Sequence, residues 1–353
     1  MKIAVLPCDA IGPEITAATM TVLETVQKKY ALDVDYTEYD VGLAALEKEG
    51  TTFPDRVFEA VKESDGFILG PHNNMAYPPP EEGGINVSTQ CRKYFDLFAN
   101  IRPAKSYGDF AKISNDIDLV IVRENTEGFY ADRNMFQGNG EFMPTEDVAL
   151  SLRKLSAEGC RRIAQTAFET ARARPRKKVT AVHKANVLKV GEGLFLREVE
   201  KVAEQFPDVE WEDVIVDAMA AFLIREPERF DVIVTTNLYG DILSDEASEL
   251  AGSLGLAPSI NAGHTIAMAQ AQHGSAPDIA GQDIANPVSL ILSAAMLLDW
   301  LGRRRDSNSL CEAGAAIGKA VERTLDNPKT RTRDLGGTLG TQAFAKAVAE
   351  QLN

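Results

Sequence analysis

Long apolar runs are missing from this 353-residue sequence. No segment approaches the roughly 18 consecutive apolar residues of a membrane span. The opening run Ile3-Ala4-Val5-Leu6 is shorter than a signal-peptide core and gives way at once to a charged loop. Membrane integration is therefore excluded on sequence grounds, and a cytoplasmic protein is expected. Cysteine is scarce: Cys8, Cys91, Cys160 and Cys311 lie far apart with no CxxC pair. That argues against a disulfide framework or a zinc ribbon and for free thiols in a reducing compartment. Positive charge is short as well, 37 Lys+Arg against 52 Asp+Glu for a formal charge of −15. Such a field opposes nucleic-acid binding, because phosphate contacts need a basic surface. Two basic runs, at 172–178 and 303–305, lack interleaved aromatics and read as solvated helix ends. A GxGxxG segment is also absent, so the usual strand-turn-helix dinucleotide fingerprint is missing.

What remains is the composition of an ordinary globular protein, 44% hydrophobic and 25% charged. The length makes two domains the default. Short β-branched runs at 3–6, 66–69, 118–122, 179–182 and 231–234 alternate with helical patterns, among them 13–29, opened by a proline, and 149–172. An α/β fold follows. Two segments interrupt the alternation: 71–84, with prolines at 71, 78, 79 and 80, and 129–144, with Gly138-Asn139-Gly140. Loops of this length usually serve a function or are disordered. The first precedes a set of arginines and is expected to border a site; the second reads as an arm toward a partner subunit.

Three groups of residues carry chemistry. After the strand-like run 231–234, Asp241 and Asp245 stand four apart, on one face of a helix. Like charges at that spacing repel, a cost offset if a hard divalent cation lies between them, and oxygen-only ligation points to Mg2+ or Mn2+. Asp217, following Val214-Ile215-Val216, is a candidate third carboxylate; helix-start capping explains the pair equally well. Arg92, Arg102 and Arg123 form a second group, suited to bidentate capture of a substrate with two or three carboxylates, although scattered surface salt bridges are the simpler account of the spacing alone. Lys184, just after the strand 179–182, is a candidate base, and Tyr130 a candidate proton donor. His183 should point away from Lys184 on an extended backbone. The nearest Gly-rich candidate for a nucleotide is His273-Gly274-Ser275-Ala276-Pro277-Asp278-Ile279-Ala280-Gly281, ending in Asn286-Pro287. There Asp278 can accept from a ribose and would repel a 2′-phosphate.

Together these segments resemble the isocitrate/isopropylmalate dehydrogenase family of metal-dependent β-decarboxylating dehydrogenases, over essentially the whole chain. The stretch Thr236-Asn237-Leu238-Tyr239-Gly240-Asp241-Ile242-Leu243-Ser244-Asp245 is similar to the family signature, and 273–286 to its adenine-binding loop. Phe98-Ala99-Asn100-Ile101-Arg102-Pro103, Val122-Arg123-Glu124-Asn125-Thr126-Glu127-Gly128 and Asp334-Leu335-Gly336-Gly337 match as well. The resemblance implies a two-domain isopropylmalate dehydrogenase-like α/β fold: residues 1–98 plus 250–353 as the cofactor-binding domain, and 99–249 as the metal, substrate and dimerisation domain. It implies a homodimer with shared active sites, in which Lys184 and Asp217 come from the other subunit. Arg92, Arg102 and Arg123 would hold substrate carboxylates, Asp217, Asp241 and Asp245 the metal, and Lys184 and Tyr130 would act as base and acid. Asn186, His273, Gly274, Ser275, Ala276, Asp278, Ile279 and Asn286 would hold the cofactor, with Asp278 and Ile279 favouring NAD over NADP.

Departures from the family pattern bear on the substrate. Isopropylmalate enzymes place leucines four and three residues before the first arginine, where this sequence has Ser88 and Thr89; isocitrate enzymes place Ser and Asn six and four before it, where Asn86 and Ser88 stand in reversed order. An apolar substituent would leave these hydroxyls poorly satisfied. A polar or carboxylated substituent is expected, as in isocitrate, homoisocitrate, tartrate or D-malate. Cys8 and Ala10 occupy usual glycine positions, and Gln270 replaces a usual acid. The other readings are a 3-isopropylmalate dehydrogenase and a noncatalytic regulatory subunit of the same fold.

Overall fold

Strands and helices alternate along the chain, and the apolar runs that fill the strands are continuous rather than alternating, as expected of parallel strands covered on both faces. The computed structural model describes residues 1–352 apart from 109, 110, 112, 131–134, 136, 137 and 139. In chain order the elements are β1 (Lys2–Leu6), α1 (Gly12–Tyr30), β2 (Asp35–Glu38), α2 (Leu43–Glu49), α3 (Asp55–Lys62), β3 (Gly66–Leu69), α4 (Val87–Tyr94), β4 (Ala99–Lys105), β5 (Asp118–Glu124), β6 (Glu141–Thr145) and β7 (Val148–Ser151). Then come α5 (Ala157–Arg172), β8 (Lys178–His183), α6 (Gly191–Ala203), β9 (Glu210–Ile215), α7 (Val216–Arg225), β10 (Val232–Thr235), α8 (Asn237–Ala251), β11 (Ile260–Ala262), β12 (Ala267–Gln270), α9 (Val288–Arg304), α10 (Asn308–Asp326) and α11 (Thr341–Leu352).

The chain divides into two compact units. The first comprises Met1–Cys91, Ser253–Ile260 and His264–Asn353; the second comprises Arg92–Gly252 and Asn261–Gly263. In the first, β1 pairs in parallel with β2 and β3, and β3 with β12. Helices α1, α9, α10 and α11 pack against one another beside them. In the second, β5, β10, β8 and β9 run parallel, and β4 joins β5 antiparallel. The core there is built from Leu119, Ile121, Val182, Ile233, Met219, Leu223, Phe230 and Leu243, all buried.

Two local expectations change. The helical pattern at 149–172 begins only at Ala157: Ser156 caps it by accepting from Gly159 N at 3.0 Å, and Val148–Ser151 is instead a strand paired with β6. Alternating Val148 and Leu150 fit a hairpin strand as well as a helix, and the Ser156 cap decides where the helix starts. The expected loop 129–144 runs into β6 at its end, while 131–134, 136, 137 and 139 lie outside the described residues. Segment 71–84 carries two short 3-10 turns, Asn74–Ala76 and Pro80–Glu82. All four cysteines are free. Among the described residues no helix is long and apolar enough to cross a membrane.

Candidate active site

In the second unit, the C-terminal ends of the parallel strands carry the polar residues. Arg123 is the penultimate residue of β5, Lys184 follows β8, Asp217 opens the helix after β9, and α8 starts two residues beyond β10. That edge is where open α/β sheets place their ligands. Arg102 enters from antiparallel β4.

Arg102 and Arg123 are buried and converge on the same carboxylate. Asp241 Oδ1 accepts from Arg123 Nη1 and, at 3.2 Å, from Arg102 Nη1, which also lies 3.4 Å from Asp245 Oδ1. The four-residue spacing on α8 therefore sets both carboxylates toward the same guanidinium. Ser244 Oγ accepts from Arg102 at 2.7 Å, and Asn237 Oδ1 accepts from Arg123 Nε at 3.0 Å and Nη2 at 2.6 Å. Burial, then the neighbouring Arg123, pushes the Arg102 guanidinium down to about 10, against the pull of Asp241 and Asp245. Burial likewise lowers Arg123. Arg102 remains cationic at neutral pH, and the two groups are crowded and desolvated, a state that favours an arriving anion. Tyr130 lies within electrostatic reach of Arg123. Arg92 Nη1 donates to Asn125 Oδ1 at 3.3 Å.

Gly240 makes this geometry possible. A Cβ built there would lie 2.6 Å from Arg123 Cγ and 2.7 Å from its Cβ, so the α8 backbone rests directly on the arginine stem. Lys184 Nζ pairs with Asp217 Oδ1, and that hydrogen bond holds the Asp217 carboxyl below the usual carboxylate range. The Lys184 backbone N–H donates to Glu192 Oε2 at 2.9 Å; Glu192 is fully buried and pairs through Oε1 with Arg153. His183 faces away, its Nε2 bonded to Asp213 at 3.0 Å. Asn186 is exposed beyond the end of β8. Among the described residues no three carboxylate, histidine or cysteine side chains form a group that could hold a metal ion, so Asp217 does not join Asp241 and Asp245 in such a group within the chain.

In the first unit, Asn86 Oδ1 caps α4 by accepting from Thr89 N at 2.9 Å, and buried Ser88 donates to Gln270 Oε1 at 3.2 Å. The loop 273–286 is held by Ile11 N donating to Ser275 O at 3.1 Å and by Asn286, which donates to Asp334 at 2.9 Å and caps α9 through Val288 N. Gly274 has open space around it, Ala276 has a left-handed backbone, and Asp278 is exposed beside half-buried Ile279. His273 Nδ1 bonds Gly274 O at 2.9 Å, which fixes the hydrogen on Nδ1 because a carbonyl only accepts. Its Nε2 is a buried acceptor with no hydrogen-bond partner among the described residues. At the usual glycine positions, Cys8 and Ala10 hold positive φ of 63° and 52°, conformations that cost a non-glycine residue about 1 kcal/mol or more.

A model of the isocitrate/isopropylmalate dehydrogenases matches residues 2–350. This chain belongs to the isocitrate/isopropylmalate dehydrogenase family. The family consists of oxidative decarboxylating dehydrogenases that act on small carboxylate substrates and are generally NAD(P)- and divalent-metal-dependent. A 3-isopropylmalate dehydrogenase of Methanothermobacter thermautotrophicus is 42% identical over 352 residues, covering 100% of this chain and 98% of that protein. An isocitrate/homoisocitrate dehydrogenase of Thermus thermophilus is also 42% identical, covering 99% and 98%. The crystal structure of isocitrate dehydrogenase from Methylococcus capsulatus superposes with a TM-score of 0.87 at 38% identity, covering 99% of each chain. Relatives named for different substrates are thus equally similar to this chain.

The side chains fit the groups this family uses. Asp241 and Asp245 offer the all-oxygen donors of a hard cation, and His273 Nε2 is an orphaned acceptor of the kind an adenine amino group satisfies. Several supporting residues carry no signal of their own in the sequence: Ser244 and Asn237 lie within the signature as neutral polar residues, and Arg153 and Glu192 lie outside the family motifs.

Proposed function

We propose that this protein catalyses NAD-dependent, divalent-cation-dependent oxidative decarboxylation of a 3-substituted malate with a polar substituent, such as isocitrate, homoisocitrate, tartrate or D-malate. The observation that carries the reading is the convergence of buried Arg102 and Arg123 on Asp241, with Asp245 one turn along α8. When bound, the cation (Mg2+ or Mn2+, ligated by Asp241, Asp245 and Asp217) supplies Lewis acidity toward the substrate hydroxyl, and NAD accepts the hydride. Arg92, Arg102 and Arg123 would grip the carboxylates and orient them. Lys184 would take the hydroxyl proton, and Tyr130 would return a proton to the carbon that carbon dioxide leaves.

NAD is favoured because 273–286 contains Asp278 and Asp283 and no lysine or arginine to meet a 2′-phosphate. His273, Gly274, Ser275, Ala276, Asp278, Ile279 and Asn286, with Asn186, are assigned to the cofactor. The polar substituent is favoured because an apolar group set against the buried Ser88 hydroxyl, already turned to Gln270, leaves the hydroxyl lone pairs unsatisfied; Asn86 adds a further amide. A homodimer with shared sites is favoured by the separation of Asp217 from the α8 carboxylates and by exposed apolar residues of the second unit, including Phe142, Leu150, Val190 and Ile242. The test is NADH or NADPH formation with Mg2+ or Mn2+ across isocitrate, homoisocitrate, 3-isopropylmalate, D-malate and tartrate. NAD with a polar substrate is the expected preference. Preference for 3-isopropylmalate would overturn the substituent assignment, and no turnover on any of them would overturn the reaction.

A further inference from the structure

Behind two of the three arginines lies a chain of buried amides whose orientation is fixed at both ends. Asn125 Nδ2 donates to Leu97 O at 2.8 Å. A backbone carbonyl only accepts, so the amide NH2 is pinned there and Asn125 Oδ1 is turned to Arg92 Nη1. At the other end Arg102 Nε donates to Asn100 Oδ1. A guanidinium only donates, so the Asn100 NH2 must face the opposite way. Both NH2 groups then meet one atom: Asn261 Oδ1 accepts from Asn100 Nδ2 at 3.0 Å and from Asn125 Nδ2 at 3.0 Å. All three asparagines are fully buried, and Asn261 Nδ2 has no hydrogen-bond partner among the described residues. Asn261 is thus held for its oxygen.

We propose that Asn261 is a positioning residue whose single carbonyl oxygen fixes the Asn100 amide and, through it, the direction of Arg102. An amide can turn by half a rotation with little change in shape, so packing alone does not choose between its two orientations. With the Asn261 oxygen in place, a reversed Asn100 would set its NH2 against Arg102 Nε, donor against donor, and would turn its own oxygen toward that of Asn261; Asn125 is held separately by Leu97 O. Without that oxygen, Asn100 Nδ2 loses the acceptor at residue 261 and Arg102 the fixed amide behind it, whereas Asn125 keeps its bond to Leu97 O. The inference rests on the reading that Arg102 grips a substrate carboxylate; its own content is that the aim of Arg102 is set from residue 261, more than a hundred residues away in sequence.

The test compares Asn261→Leu, similar in size with no acceptor, with Asn261→Asp, which keeps an oxygen at that place. Full-length enzyme is assayed with whichever of isocitrate, homoisocitrate, 3-isopropylmalate and D-malate the unaltered protein turns over fastest. Asn261→Leu is expected to raise the substrate KM at least ten-fold with the NAD KM within two-fold, and Asn261→Asp to restore the substrate KM to within about three-fold. An unchanged KM in Asn261→Leu, or equal damage in Asn261→Asp, overturns the proposal. If Asn261→Leu does not fold, Asn261→Ser, whose hydroxyl is too short to meet the Asn100 amide, takes its place with the same expected KM rise and the same overturning result. Should the unaltered protein turn over none of the substrates, the reaction assignment falls while the relay is still judged by NMR. The Arg102 Nε–H resonance should exchange slowly with solvent in the unaltered protein and Asn261→Asp, and faster in Asn261→Leu or Asn261→Ser. Equal exchange rates in all of them overturn the relay.

Discussion

His273 illustrates how one side chain ties the proposed cofactor loop to pH. Burial pushes its imidazole below the usual histidine range, with the bond to Gly274 and the Asp334 charge opposing. Beneath a pH of about 6.5, the unfolded chain therefore takes up a proton that the folded chain resists. The unfolded state binds more protons in that window, so stability rises with pH across it and is lost as the pH falls. Urea melts from pH about 7.5 down to about 5 should show a fall in stability below about 6.5 that is reduced in His273→Gln; parallel curves for the two proteins would contradict the assignment. Arg102 and Arg123 show the same tension in cationic form. Their burial opposes their charge, and Asp241, Asp245, Ser244 and Asn237 hold the two guanidinium groups in place.

At the scale of elements, α8 and its seat on Arg123 carry the argument. Alanine is a better helix former than glycine by about 1 kcal/mol, so propensity alone would make Gly240→Ala stabilising. The contact with the Arg123 stem reverses the sign: overpacking of this kind costs about 1–3 kcal/mol, and the displaced guanidinium should lower activity as well. Gly318 on α10 is the control, because a Cβ there meets nothing within 4 Å. Gly318→Ala should stabilise by up to about 1 kcal/mol. Chemical denaturation of both variants decides the matter, and stabilisation by both would mean that α8 does not rest on Arg123. The motif Arg123-Glu124-Asn125-Thr126-Glu127-Gly128 divides similarly between site and scaffold. Glu124 accepts from Thr126 and Glu127 backbone N–H groups at 2.8 and 2.7 Å, and Glu127 accepts from Ser156 at the start of α5, where Gly159 leaves it room. Those carboxylates are scaffold, and burial raises Glu124 above the usual range.

At the scale of the whole molecule, the proposed shared site makes a prediction that a single-chain site does not. Lys184→Met and Asp241→Asn homodimers should each be inactive. Mixed and re-equilibrated, half the dimers carry one of each chain. If Lys184 of one protomer serves Asp241 of the other, one of their two sites is intact. Activity should then return to about a quarter of the unaltered level, as the two-fold symmetry of such a dimer requires. A mixture that stays inactive would place both residues in the site of one chain. The exposed cross-strand pair Phe142 and Leu150, on the β6–β7 hairpin, is the apolar surface expected to be covered on association.

Much of this was legible in the sequence, because the determinants are local. Apolar runs mark β1, β3, β5, β8 and β10, the Pro-led pattern marks α1, and a spacing of four places Asp241 and Asp245 on one helical face; long motifs in order mark the family. Hydrogen-bond choice is not local. Nothing in the spacing of Arg102 and Asp241, 139 residues apart, or of Asn100 and Asn261, 161 apart, says that they meet. The helix expected from 149 starts instead at Ala157, because the Ser156 side chain caps it there and 148–151 finds a strand partner. The tertiary structure decided which carboxylate each arginine faces and which way each amide is turned, because a buried donor must find an acceptor wherever the fold brings one within 3 Å or so.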